Sequence, residues 1–316
     1  MTHRRCGWRT PAAAGVLLAV LLLSGCATPQ LTALGQRWPE QLPAAVVLSD
    51  VPFFAQDDHL CGPASLAMVA QAAGVKVTPA ELTEQVYLPG RQGALQLEML
   101  AATRRQGLVA YPLAPRLQDL LQEIAAGQPV LVLQNLSLPI SPLWHYAVVI
   151  GYDRASREVV LHSGVTEREV MSLATFEHTW ARSDYWAMRA AAPERLPVTA
   201  TPDGWASAVA ALERINTRAA ETAYATALAR WPTHRASLLG VGNAAYAQGE
   251  LARAAQAYAA ATRAHPDFAD AWNNLAQVRL EQGQRPEALA AIERAVALGG
   301  PRLAQYQELQ RKIGAP

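Results

Sequence analysis

Residues 51–68 read VPFFAQDDHLCGPASLAM, and residues 144–153 read WHYAVVIGYD. In the first stretch Gly62 and Pro63 follow Cys61. Proline suits the first turn of a helix, where its missing N–H has no partner to lose. The pattern predicts a helix from Cys61 to about Ala73, with the cysteine at its N-terminus. There the helix dipole lowers a thiol pKa and favours thiolate, and unpaired backbone N–H groups face any oxyanion. Gln56, five residues upstream, offers a side-chain amide as a further donor. The second stretch is an apolar strand opened by His145, where an imidazole needs a purpose. A reactive thiol requires a base, and the charge it creates requires a donor. Cys61, His145 and Gln56 are therefore the expected nucleophile, general base and acid, and oxyanion donor.

Outward from these stretches, Thr78, Pro79 and Glu81 spell a capping box at the start of a second helix. Further helices fit residues 94–106 and 116–126. Strand-like runs occupy Val130–Gln134, Tyr146–Tyr152, Val159–Ser163, Glu169–Leu173 and Tyr185–Arg189. Helices come first and an antiparallel meander follows, which predicts an α+β domain over residues 46–195.

After Pro197 the texture changes to alanine-rich helix with a period of 34. Ala220, Ala254 and Ala288 share this spacing, as do Tyr224, Tyr258 and Ile292. So do Ala227, Ala261 and Ala295, and Pro232, Pro266 and Gly300. This resembles the tetratricopeptide repeat, with small residues where two helices cross closely. The expected units are a degenerate one at 203–234, then 235–268 and 269–301, and a capping helix at 302–313. Together they form an all-α domain over 200–316, suited to docking a protein partner.

At the other end, Arg4, Arg5 and Arg9 precede an apolar run from Ala12 to Leu23. That run is shorter than the ~20 residues a bilayer core requires. It closes on Leu23, Ser24, Gly25 and Cys26, which resembles a bacterial lipobox. The resemblance implies a signal peptide over 1–25, a lipid on Cys26 and a tether over 26–45. Ala27 in place of Asp implies sorting to the outer membrane, with the body facing the periplasm and the lipid as its only membrane attachment. Of three cysteines, Cys6 leaves with the signal and Cys26 is lipidated. Cys61 is then left alone in an oxidising compartment, as inert core or as nucleophile.

Composition narrows the function classes. The chain has 27 Lys+Arg against 26 Asp+Glu among 316 residues. No basic field for nucleic acid is present, and half the residues are hydrophobic, which excludes a disordered tail. His59, Cys61, His145 and His162 lack paired metal-ligand spacing, and no phosphate loop is visible, so no metal or cofactor is expected. His59 is too close along the loop to serve as base. Phe53, Phe54, Trp144 and Trp186 suit core or groove, and Asp57 and Asp58 suit a solvated loop or a basic substrate residue.

Gln56, the CGPA of residues 61–64 and the HYAVVIGY of 145–152 resemble the papain-like C39 family of cysteine peptidases over roughly residues 48–190. The resemblance implies a papain-like fold, peptide-bond hydrolysis and the same three roles for Cys61, His145 and Gln56. In the family an Asp on the next strand orients the His. Here that window reads VVLHSG over 159–164, so the candidates are His162, which best matches the strand context, Ser163 and Asp153. The missing carboxylate keeps two other readings open: a catalytically weak or inactive peptide-binding module, and a papain-like acyltransferase or amidase.

Overall fold

The computed structural model describes residues 28–56 and 59–315. The expected signal peptide, Cys26, and Asp57 and Asp58 lie outside the described residues. The first domain contains, in order, α1 (Pro29–Gln36), β1 (Ala45–Val47), α2 (Cys61–Ala72), α3 (Pro79–Val86), α4 (Gln96–Arg105), β2 (Val109–Pro112) and α5 (Leu117–Ala125). It continues with β3 (Val130–Asn135), β4 (Trp144–Asp153), β5 (Glu158–Ser163), β6 (Thr166–Ser172), α6 (Leu173–Ala181) and β7 (Ala187–Ala191). The seven strands form one sheet in the order β2-β7-β3-β4-β5-β6, with β1 paired to β4 beyond the end of β3. Every pairing is antiparallel.

Strand alternation divides the core. Ala147, Val149, Val130, Val132 and Leu161 face one layer, with α1, α5 and α6, while Tyr146, Val148, Ile150, Leu131 and Met188 face α2, α3 and α4. Helix α2 is apolar almost all round and buried from Gly62 to Val69, as expected of a central helix. Thr78 caps α3 through the anticipated capping box, its hydroxyl accepting from the Glu81 N–H while Glu81 accepts from the Thr78 N–H. At Gly151 a Cβ would lie 2.6 Å from the Val46 carbonyl oxygen. Only glycine lets β1 approach here, beside a bulge in the β4–β5 pairing.

The segment expected to be a tether departs from that reading. Residues 29–36 are helical, with Leu31 and Leu34 buried, and the N–H groups of Gln30 and Leu31 donate to the Glu177 carboxylate on α6. The helix is stabilised by a partner far along the chain. Strands β1 and β2 and helix α6 were likewise not anticipated from local pattern.

The repeat domain comprises α7 (Pro202–Glu213), α8 (Thr217–Arg230), α9 (Arg235–Ala247), α10 (Leu251–Ala264), α11 (Ala269–Glu281), α12 (Arg285–Leu298) and α13 (Leu303–Gly314). The periodic alanines 220, 254 and 288, and 227, 261 and 295, are fully buried. Cβ atoms at Gly240 and Gly242 would lie 2.4 and 2.3 Å from the Tyr224 and Tyr258 rings, so the two tyrosines of this repeat column are matched by glycines on the facing helix. The first repeat shares the sheet's core: Trp205 packs on Tyr111 of β2, and Thr201 donates its N–H to the Tyr111 hydroxyl.

Candidate active site

Cys61 is the first residue of α2, half-buried where the helix meets the start of β4. The backbone N–H groups of Tyr146, Gly62 and Cys61 itself lie near enough to its sulfur to pull the thiol pKa down. Tyr146 directly follows His145, so the start of α2 and the backbone beside His145 meet at one end of the sheet. Gln56 is buried and its backbone N–H donates to the Gly164 carbonyl at 3.1 Å. Its side-chain amide donates to Ser65 Oγ at 3.3 Å, and Ser65 donates in turn to the Tyr146 carbonyl at 3.2 Å. Ser65 lies one helical turn after Cys61, the spacing that places two side chains on one face. This chain of contacts joins Gln56, α2 and β4. An amide carries two N–H donors, and Ser65 takes one. The sequence reading missed Ser65, whose only signal was that one-turn spacing.

The His145 ring meets Ser163, with Nε2 and Oγ 3.1 Å apart. Among the described residues its Nδ1 makes no hydrogen bond. Of the three candidates to hold this ring, the preferred one is therefore corrected. His162 is buried, and its Nε2 donates to the Val51 carbonyl at 3.2 Å while its Nδ1 accepts from the Arg168 N–H at 3.3 Å. A carbonyl only accepts and an N–H only donates, so this ring is neutral with its proton on Nε2. His162 ties the segment leading to Gln56 onto the β5–β6 hairpin, with Phe53 packed on its ring at 5.2 Å. Asp153 accepts from the N–H groups of Ala155 and Ser156 in the β4–β5 turn. It stands eight residues along β4 from His145, about 26 Å. A serine hydroxyl can donate or accept, so Ser163 orients the ring without dictating its tautomer as a carboxylate would.

The electrostatics also differ from the expectation of a lowered thiol pKa. Burial pushes the Cys61 thiol above its ordinary value, and the three N–H groups offset this only in part. Burial likewise pushes the His145 imidazole down, against the pull of Glu169. Both effects favour neutral forms, so the resting pair is thiol and imidazole. His59 sits in an exposed turn with φ of 70°. Among the described residues, no three His, Cys, Asp or Glu side chains are grouped to hold a metal ion. Trp144 is half exposed, while Phe53, Phe54 and Trp186 pack on the core beneath α2. A cavity of about 710 Å³ lies away from the thiol, in the repeats, lined by Asn243, Tyr246, Tyr258, Asn274, Gln305 and Lys312 among others.

Residues 48–188 match the Peptidase_C39 like family, and residues 206–266 and 242–302 match the tetratricopeptide repeat. No curated protein matches the chain. Solved structures similar to it include a protein described as a C39-like peptidase from Bacillus anthracis, 21% identical, with a TM-score of 0.38 over 46% of this chain and 96% of that one. The Sgt2 tetratricopeptide domain from Aspergillus fumigatus is 25% identical, with a TM-score of 0.33 over 36% of this chain and 79% of that one. The MamA protein is 15% identical, with a TM-score of 0.31 over 45% and 75%.

Proposed function

Because residues 48–188 are a C39-like peptidase-family domain and residues 206–302 are tetratricopeptide repeats, we propose that the chain is a lipid-anchored envelope cysteine peptidase whose repeats dock a protein partner. What supports the proposal is that the start of α2, with Cys61, lies against Tyr146, the residue after His145 on β4, and that Gln56 is tied through Ser65 to the same Tyr146. Since the resting pair is neutral, His145 acts as a true general base. The Cys61 proton passes to its imidazole as sulfur attacks the peptide carbonyl carbon. The second N–H of the Gln56 amide and the Cys61 backbone N–H hold the oxyanion. Collapse of the tetrahedral species breaks the C–N bond, and the imidazolium gives its proton to the leaving amine. Water, deprotonated by His145, then hydrolyses the thioester and frees the thiol.

Cys61→Ala and His145→Ala should each abolish cleavage of a peptide library while leaving circular dichroism unchanged, because a cooperating pair fails as a unit. Gln56→Ala should cost roughly 10²–10³ in rate. Ser163 in place of a carboxylate favours a second reading, a peptide-binding module without turnover. Retained peptide binding with no cleavage by the wild type would select it. For the anchor, Cys26→Ser should end lipid labelling and release the protein from the membrane fraction. A variant that still sediments with membranes after a salt wash would remove the lipid from the proposal.

A further inference from the structure

The loop from Leu136 to Leu143, which joins β3 to β4, carries its apolar side chains outward. Leu138, Ile140, Leu143 and Trp144 are 62%, 89%, 59% and 50% exposed, and no charged residue occurs between Leu136 and Trp144. The loop is nonetheless firmly built. The Asn135 side-chain oxygen accepts from the N–H groups of Ser137 and Leu143, and Leu136 N–H donates to the Leu143 carbonyl. Arg182, exposed at the end of α6, clasps the loop base through the carbonyls of Asn135 and Ser137. A braced loop that presents four large apolar side chains to water marks a surface that something covers.

The position of helix α1 selects what that is. β3 ends at Asn135 opposite Trp144, and β7 begins beside it. β2 ends opposite Met188 near the start of β7, and α5 begins just after β2. Gln30 of α1 bonds the Pro115 carbonyl and the Leu117 N–H, at the start of α5. Helix α1 therefore begins at the same end of the sheet as the apolar loop and the Cys61 thiol. Cys26 precedes Thr28 by two residues, a reach of about 7 Å. A lipid on Cys26 would hold this end of the sheet against the bilayer.

We infer that the 136–144 loop docks on the lipid surface, its apolar tip entering the bilayer and Arg182 meeting anionic headgroups at its root, so that the thiol works on polypeptides presented at the membrane. Ile140 at the tip is 89% exposed and so stands clear of its neighbours, which suits insertion, whereas recognition of an apolar peptide calls for a concave wall. A Trp beside aliphatic residues with a cation behind them is the composition of an interfacial anchor. The inference rests on the anchored reading above, and its test is independent of it.

Protein of residues 27–316, made without signal or lipid, is mixed with vesicles of phosphatidylethanolamine containing a minority of phosphatidylglycerol, and its sedimentation is measured. The wild type should co-sediment, and Ile140→Asp should weaken partition by about tenfold or more, the loss of one buried aliphatic side chain. Brominated lipid should quench wild-type fluorescence more than that of Trp144→Phe. Ile140 is almost fully exposed, so its variant should melt with the wild type. No wild-type partition, or partition unchanged in Ile140→Asp, overturns the inference. So does an Ile140→Asp variant that loses only cleavage or binding of soluble apolar peptides, which makes the loop a substrate wall. Because the protein tested has no acyl chain, these results leave the Cys26 reading to its own fractionation experiment.

Discussion

Replacing Ser163 with Asp puts a carboxylate where the His145 ring now meets a hydroxyl at 3.1 Å. A hydrogen bond to a charged group is worth roughly 1.5–3 kcal/mol against about 1 for a neutral one. The difference is about 0.5–2 kcal/mol, so at about 1.4 kcal/mol per pKa unit the imidazole should rise by about 0.4–1.4 units. Burial now holds His145 below its ordinary value and Cys61 above its own, so this rise moves the pair toward thiolate and imidazolium. Iodoacetamide modification of Cys61 at neutral pH should accelerate by up to about tenfold, and the lower limb of its pH profile should move. Ser163→Ala should lose about 1 kcal/mol of ring positioning, roughly fivefold in turnover. His162→Asp is the contrasting variant. Its carboxylate would face the Val51 carbonyl with the Arg168 N–H as its one donor and be buried without a countercharge, costing several kcal/mol of stability without reaching His145. An alkylation profile that shifts in His162→Asp and stays fixed in Ser163→Asp would refute this reasoning.

Three further outcomes follow from the packing. Glu123→Ala leaves the fully buried Arg189 guanidinium, already pushed down to about 10 by burial, without its partner at 3.2 Å, and also frees Thr199; the urea midpoint should fall by an equivalent of about 3–5 kcal/mol. Gly242→Ala drives a methyl into the Tyr258 ring and should cost about 1–3 kcal/mol by calorimetry, where an unchanged melt would contradict the close helix crossing. Burial lowers both His145 and His162, so the unfolded chain takes up protons first as pH drops. Stability should be complete above about pH 6.5 and decline below it, and His162→Gln should show a shallower decline in thermal melts from pH 7 to 5.

What was legible in the sequence was whatever local pattern dictates. Cys61 announces a helix start through Gly62 and Pro63, and His145 is conspicuous at the head of an apolar strand. The repeats were legible because each alanine column serves the same crossing, and Ala254 and Ala261 are indeed buried without remainder. Helix α1 was illegible because Glu177, which holds its first N–H groups, lies 147 residues from Gln30. The choice between His162 and Ser163 was illegible for a different reason. Neighbours on a strand point to opposite faces, so a slip of one residue exchanges their roles. The β5–β6 register shifts between Leu161 and Ser163, and no periodicity in VVLHSG announces it.

The boundary near residues 195–200 poses a further question, because a change of texture in sequence need not divide the core. Trp205, Val209 and Leu212 of α7 belong to the same buried cluster as Val109, Leu117 and Leu120 of the sheet layer. Trp205 also donates its indole N–H to the Ala223 carbonyl of α8, so one side chain joins sheet and repeats. Glu123 of α5 binds Arg189 on β7 and the Thr199 N–H and hydroxyl in the connecting segment. A flexible linker would leave such groups to water. Their burial means that disturbing the first repeat disturbs the sheet beneath it. The repeat groove around Asn243 and Asn274 continues from that first repeat, through the contacts of α8 with α9. A partner bound there, as proposed above, would be held at a set place relative to the thiol, which a tethered pair of domains could not provide.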